Sequence, residues 1–328
     1  MNQAVSGVSS TIVNAFSIDV EDYFHVEALA PSIPRAKWSE MEYRCEASMQ
    51  RLLALMSEHG VRGTMFVLGW VAERSPHLVR EIVRAGHEVA CHGYSHRLVY
   101  RQEPEVFREE TARAKNLLED LTGRPVLGYR AASFSIIERS KWALDCLIDL
   151  GFTYDSSVFP VRHDRYGMPE AELAPYKITA PSGRSIVEFP MSVATLGRLR
   201  VPVSGGGYFR ILPYAVTRAG LKQINRRRRQ PFVFYLHPWE VDPEQPRVSA
   251  SLFSTFRHYT NLSRCEGRLR RLMSDFRFAT MRQVLATEGL IAPQPGPVVV
   301  PLQRPALPDA RPAFEPATAR TSNAVVGA

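Results

Sequence analysis

The sequence predicts an α/β protein with a mainly parallel sheet or barrel. Three observations carry that prediction. Short apolar runs alternate with amphipathic helical stretches from about residue 12 to 290. Glycine or proline punctuates the ends of several of those stretches. The apolar runs are followed by acids, histidines and arginine, where parallel folds place their chemistry.

The elements follow in order. Residues 13–18 read as a first strand. Residues 46–59 form a helix with Met49, Leu52, Leu53 and Met56 at helical spacing, stopped by Gly60. A strand at 63–68 precedes a helix at 76–85 that has Pro76 in its first turn and Gly86 beyond its end. A strand at 88–91 leads to a long amphipathic helix at 105–121, stopped by Gly123. Strands at 126–129, 152–154, 186–189 and 232–236 alternate with helices at 138–150, about 212–225 and about 261–273. A strand and helix at 276–287 close the pattern. Strands separated by helices imply βαβ crossovers.

Composition bounds the rest. With 45% apolar and 23% charged residues the chain can bury a sizeable core, which excludes whole-chain disorder. The 328 residues allow two domains or one large one. Apolar runs such as 233–236 fall far short of the ~20 residues that span a bilayer. The N-terminus has no basic region and runs straight into Asp19, Glu21 and Asp22, so no secretory signal is read. Four cysteines without a CxxC pair fit a reducing compartment, and a cytoplasmic location is expected. Residues 1–11 are expected to be flexible. Residues 291–328, with eight of the 24 prolines, are expected to form a disordered tail.

The strand ends carry the candidate chemistry. Asp19, Glu21 and Asp22 follow the first strand; three acids there repel one another unless a cation or shared proton relieves them. His92 and His96 follow the third. Two imidazoles with one carboxylate suit a divalent transition metal with open positions. One acid could be the third ligand and another the general base, and the sequence leaves the choice open. Arg130 could orient the base carboxylate by a bidentate pair. His237, in YLHPWE, could be the general acid for a leaving amine, or a satisfied buried histidine. Such parts make a metal hydrolase acting on an amide or ester.

The order of these motifs resembles the polysaccharide deacetylases of carbohydrate esterase family 4, the NodB-homology domain, over about residues 12–280. The resemblance rests on FSIDVEDYFH, HGYSH, GYRAASFSI, YDSSVFP and Leu236-His237. It implies a distorted (β/α) barrel with a short C-terminal extension, and a catalytic domain at 12–290 whose part from about 240 to 285 is specific to one branch. It implies Asp19 as catalytic base, His237 as acid and Arg130 as the base's partner. The metal set would be Asp22, His92 and His96, with Glu21 as the alternative to Asp22. Zinc is the first expectation for the metal, with cobalt and manganese as alternatives. Two positions depart from the family pattern: Gly93 replaces a serine or threonine, and Ala132 replaces a proline. A backbone N–H in the 132–134 turn would serve the oxyanion. Phe134, Asp155, Tyr208 and Trp239 are the expected substrate or oxyanion contacts.

The wording of DVEDYFH, SGGGYFR, YLHPWE and residues 258–278 is similar to a branch associated with exopolysaccharide and exosortase gene clusters, itself similar to peptidoglycan-deacetylase and allantoinase-like members. The implied reaction is removal of N-acetyl groups from amino sugars of a polysaccharide or its precursor. The alternatives are hydrolysis of another non-peptide C–N bond, such as a cyclic imide or ureide, and non-catalytic carbohydrate binding. The glycines of SGGGYFR let a backbone approach a ligand or turn sharply. The excess of 41 basic over 33 acidic residues gives a net charge of +8. It includes the run 226–229 and Arg264, Arg268, Arg270 and Arg271, read first as solvated faces. No nucleic-acid partner is expected. Peripheral contact with anionic lipid is the alternative use of the last four.

Overall fold

The computed structural model describes residues 12–163 and 166–293. The first eleven residues and 294–328, which hold most of the expected tail, lie outside that description. Among the described residues eleven strands occur: β1 Val13–Val20, β2 Thr64–Val67, β3 Glu88–Cys91, β4 Gly128–Tyr129, β5 Tyr154–Asp155, β6 Tyr176–Thr179, β7 Ser185–Glu188, β8 Val193–Leu196, β9 Leu199–Pro202, β10 Val233–Leu236 and β11 Arg277–Ala279. The main sheet runs β10-β1-β2-β3-β4-β5-β7-β6, with β11 also on β1. All its pairs are parallel except β6 with β7. A separate hairpin pairs β8 with β9.

Ten α-helices accompany these strands among the described residues: α1 Cys45–Glu58, α2 Gly69–Arg74, α3 Pro76–Arg84, α4 Pro104–Thr122, α5 Trp142–Asp149, α6 Gly206–Ile211, α7 Tyr214–Gln223, α8 Leu252–Tyr259, α9 Leu262–Asp275 and α10 Met281–Thr287. The mixed α/β fold with a mainly parallel sheet is the one the sequence predicts. The β6 strand, the β8–β9 hairpin, α2, α6 and α8 are additional to it. The run 226–229 extends a helix: Ile224–Arg228 continues α7 as a π-helical turn, and Arg229 ends it in the left-handed region at φ 53°.

Strand periodicity sorts the core into two layers. Phe16, Ile18, Met65, Val67, Phe234 and Leu236 pack outward with Met49, Leu52 and Met56 of α1. Their alternates Ala15, Phe66, Ala90, Tyr154, Val187, Val233 and Tyr235 pack with one another on the inner face. Met281, Val284 and Leu285 of α10 join that inner cluster. The Met281 N–H donates to Thr64 Oγ1 at 2.7 Å, which fixes the start of α10 against β2.

The sheet does not pair β7 directly with β10. The chain that follows β7 fills the seam: Val233 N donates to Ser192 Oγ at 3.0 Å and Tyr235 N to the Ser204 carbonyl at 2.9 Å. Gly205 forms a parallel bridge with Tyr235. Here the glycines of SGGGYFR find their reason. Gly205 has φ 138°, and a Cβ on it would lie 1.8 Å from the Tyr235 carbonyl oxygen. The close approach is to the protein's own strand and not to a ligand.

Candidate metal centre and active site

Alternation along β1 puts Ser17 and Asp19 on the same inner face as Ala15. Asp19 is buried, and its Oδ1 accepts a hydrogen bond from Arg130 Nη1 at 2.6 Å. Arg130 follows β4 and is fully buried. Three more of its donors are used: Nη1 also to Ser17 Oγ at 2.9 Å, Nε to the Ser156 carbonyl at 3.1 Å, and Nη2 to Ser156 Oγ at 3.0 Å. The guanidinium lies over the Phe66 ring, 4.0 Å from its centroid. The expected bidentate pair is absent. Arg130 holds one oxygen of Asp19, and Oδ2 faces His237 Nε2 at 3.8 Å.

Two residues on, Glu21 turns into the same space. Its Oε2 lies 2.8 Å from His96 Nε2 and 3.9 Å from His92 Nε2, and its Oε1 lies 3.7 Å from His237 Nε2. Glu21, His92 and His96 each offer a ligand atom within 4.8 Å of the others, and all three are buried. His92 Nδ1–H donates to the Arg130 carbonyl at 2.8 Å, which leaves the Nε2 lone pair toward Glu21. Burial pushes His92 down to about 4, so it stays neutral. Burial alone would raise Glu21, but His96, His237 and His92 around it hold its carboxyl well below the ordinary range. A buried carboxylate facing two imidazole nitrogens is the two-histidine, one-carboxylate donor set of divalent transition metals. The residues present therefore fit such an ion.

Asp22, expected ahead of Glu21 as the acid of this set, is elsewhere. Its Oδ1 accepts from Tyr23 N at 2.8 Å, and its Oδ2 from Arg44 N at 2.6 Å and Cys45 N at 2.8 Å. It caps the first turn after β1 and the start of α1 at once. Burial raises it to about 6 against the pull of those three N–H groups. Its oxygens are spent on backbone.

Gly93 gains a reason too. It has φ 71°, and His96 three residues later has φ 51°. These left-handed positions curl the HGYSH loop so that both imidazoles converge. A Cβ at 93 would sit 3.5 Å from the Tyr129 hydroxyl in a backbone state that serine or threonine rarely adopts. At Ala132 the turn is held without proline: Ser135 Oγ donates to the Ala132 carbonyl at 2.6 Å and accepts from Val99 N at 2.9 Å. Ser133 and Phe134 both sit at positive φ, 51° and 53°. Two consecutive non-glycine residues in that region store strain beside the site.

On the opposite wall, His237 follows β10. Its Nδ1–H donates to Glu240 Oε1 at 2.9 Å, and its backbone N–H donates to the same oxygen at 3.0 Å. Glu240 Oε2 accepts from Arg210 Nε at 2.6 Å. Arg210 is buried, and its remaining donors reach the carbonyls of Arg257, His258 and Thr260. Burial would lower His237, but the hydrogen bond to Glu240, with Glu21 and Asp19 nearby, raises it to about 9. Glu240 is correspondingly low, about 2, since Arg210 and His237 outweigh its burial.

Four expected substrate or oxyanion contacts have other duties. The Phe134 N–H already donates to the Ala131 carbonyl at 3.1 Å, and its ring packs on Phe159, Tyr166 and Tyr235. Asp155 is fully buried, accepts from Ser157 Oγ at 2.6 Å, and is the register partner of Glu188 on β7. Trp239 is buried and stacks with His237 at 5.1 Å and with His258 at 4.3 Å, so it backs the histidine of the site. Tyr208, on α6, is half-buried and interacts with Tyr166. Sequence reasoning missed Glu240, Arg210, Ser17 and Ser156. The three-residue spacing of His237 and Glu240 in HPWE was the one local signal, because an acid at the third position of a turn reaches back to the residue that opens it.

Residues 40–154 match the model of the polysaccharide deacetylase family, and residues 156–286 match a domain of unknown function (DUF3473). The chain is 34% identical over 117 residues to a peptidoglycan deacetylase of Helicobacter pylori, which is 34% of this chain and 38% of that protein. It is 29% identical over 96 residues to a peptidoglycan-N-acetylglucosamine deacetylase of Bacillus cereus, 29% of this chain and 35% of that protein. The matches thus span well under half the length of either relative. A Mycobacterium smegmatis protein assigned to the polysaccharide deacetylases has the same fold, with a TM-score of 0.58 at 22% identity over 90% of this chain and 95% of that one.

Proposed function

We propose that this chain, which carries a polysaccharide deacetylase domain of the NodB-homology type, is a metal-dependent hydrolase that removes N-acetyl groups from amino sugars of a polysaccharide or its precursor. The observation that carries the reading is the convergence of Glu21, His92 and His96 beside two oriented side chains, Asp19 on Arg130 and His237 on Glu240. A divalent cation, zinc first, would be held by those three residues and would supply Lewis-acid polarisation of the amide carbonyl and a more acidic water. Asp19 is fixed through Oδ1, so Oδ2 is the atom placed to take a proton from the attacking water. His237, oriented through Nδ1, presents Nε2–H for delivery to the departing amine nitrogen.

The finer parts of the reading have separate support. The relatives named for peptidoglycan and its N-acetylglucosamine favour an N-acetylated glycan. The motif wording favours an exopolysaccharide pathway. Four buried free cysteines favour a reducing compartment such as the cytoplasm. Among the described residues no helix is long and apolar enough to cross a membrane. The catalytic domain would run over residues 12–290, because Arg130, His237 and Arg210 bind one site from widely separated positions.

Acetate release from N-acetylglucosamine oligomers by the zinc-loaded protein tests the proposal, with allantoin as the parallel substrate. Metal-dependent acetate release supports it. Turnover of allantoin with no acetate from any oligomer would replace it with the ureide reading.

A further inference from the structure

Among the described residues, helix α8 leaves one face without a partner. Leu252, Phe253 and Phe256 are 91%, 69% and 55% exposed, and their spacing puts all three on one side of the helix. The other side is tied into the site. Arg210 takes the carbonyls of Arg257, His258 and Thr260, and His258 stacks on Trp239, which stacks on His237. From 247 to 264 the sequence carries three arginines, Arg247, Arg257 and Arg264, and no aspartate or glutamate. Arg257 lies over the Phe253 ring at 5.5 Å, beside the apolar face. Two of the four arginines expected to face lipid are otherwise engaged: Arg268 donates to the carbonyls of Phe209, Arg210 and Leu212, and Arg270 pairs with Glu58 and Glu266.

We infer that α8 is a docking face for an anionic lipid surface. The inference rests on the deacetylase reading for its purpose, since it would bring the site to a glycan carried at a membrane. Three features choose the occupant. An apolar stripe flanked by arginine and free of acids matches an acyl layer beneath anionic head groups. Leucine and phenylalanine offer no polar handle for sugar hydroxyls, and the Arg257 guanidinium already sits on Phe253. The three side chains expose on the order of 400 Å², well below the ~800 Å² per partner of a stable dimer.

The test is co-sedimentation of the full chain with vesicles of phosphatidylglycerol and phosphatidylethanolamine, and with phosphatidylcholine alone, alongside acetate release from soluble N-acetylglucosamine oligomers. The wild type should partition onto the anionic vesicles, less so as salt rises, and weakly onto phosphatidylcholine. The triple variant Leu252→Ser/Phe253→Ser/Phe256→Ser should lose about a hundredfold in partitioning and keep its turnover of soluble oligomers. Arg257→Gln should weaken binding about fivefold. No binding by the wild type, or equal binding by the triple variant, overturns the inference. Loss of oligomer turnover with vesicle binding intact would assign the face to glycan. A dimer that the triple variant abolishes would assign it to a second copy. Vesicle binding is read without turnover, so either proposal can fail while the other stands.

Discussion

Glu240 Oε1 accepts two hydrogen bonds from His237, one from the ring Nδ1–H at 2.9 Å and one from the backbone N–H at 3.0 Å. Glu240, three residues on in the same turn, thereby fixes both the position and the tautomer of the histidine, and Arg210 fixes the glutamate in turn. An orienting carboxylate of this kind works through the histidine and touches no substrate.

Glu240→Gln should therefore lower kcat by about 10- to 100-fold, a part of what a general acid contributes, and leave KM nearly unchanged. Steady-state kinetics on a soluble oligomer checks it. A rise in KM with unchanged kcat would make Glu240 a substrate contact instead.

Arg130 and Asp19 separate in the same way. Asp19→Asn should keep the metal and lose turnover by about 10²- to 10⁴-fold. Arg130→Ala leaves Asp19 buried without its partner and should cost about 3–5 kcal/mol of stability, read from urea denaturation. If Asp19→Asn retains wild-type turnover, the base lies elsewhere.

A pH effect should come from Asp155 and Glu188, register partners on β5 and β7 whose side chains are fully buried. Burial raises Asp155 to about 6, and burial with Asp155 beside it raises Glu188 well above the ordinary range. Unfolded carboxyls titrate near ~4. Between these values the folded chain binds more protons than the unfolded one, so stability falls as pH rises from about 4 through 6 and beyond. Glu188→Gln keeps an acceptor for the Val158 N–H and removes one of the two titrations. Its denaturation midpoint should decline less from acidic to neutral pH than that of the wild type. Parallel declines would show that the pair does not share a retained proton.

Gly205→Ala should be among the most damaging single substitutions outside the site. The new Cβ would sit 1.8 Å from the Tyr235 carbonyl oxygen, at a φ of 138°. A loss of more than about 3 kcal/mol is expected, measured by thermal or urea unfolding. A small loss would mean that the seam between β7 and β10 can open without cost.

These particulars mark what a linear sequence shows. Val13–Val20 and Val233–Leu236 were legible because buried parallel strands read as short apolar runs. Met49, Leu52 and Met56 were legible because helical periodicity is local. His92 and His96 stood out as a pair after a strand. The choice between Glu21 and Asp22 was not legible, because neighbouring acids differ only in which way the chain turns after β1. That turn is set by the distant N–H groups of Arg44 and Cys45. Arg210 was hidden for the same reason: its partners lie 30 to 50 residues away. Asp155 was expected at the site from the resemblance of YDSSVFP, and only its burial and its register with Glu188 show that it packs against protein.

Metal content of the purified protein and two variants, measured by elemental analysis after zinc loading and removal of free ion, tests the central claim most directly. The account predicts about one zinc per chain in the wild type, none in Glu21→Gln, and about one in Asp22→Asn, which should be less stable through its lost caps. Zinc retained in Glu21→Gln and lost in Asp22→Asn, or absent from the wild type, would contradict it.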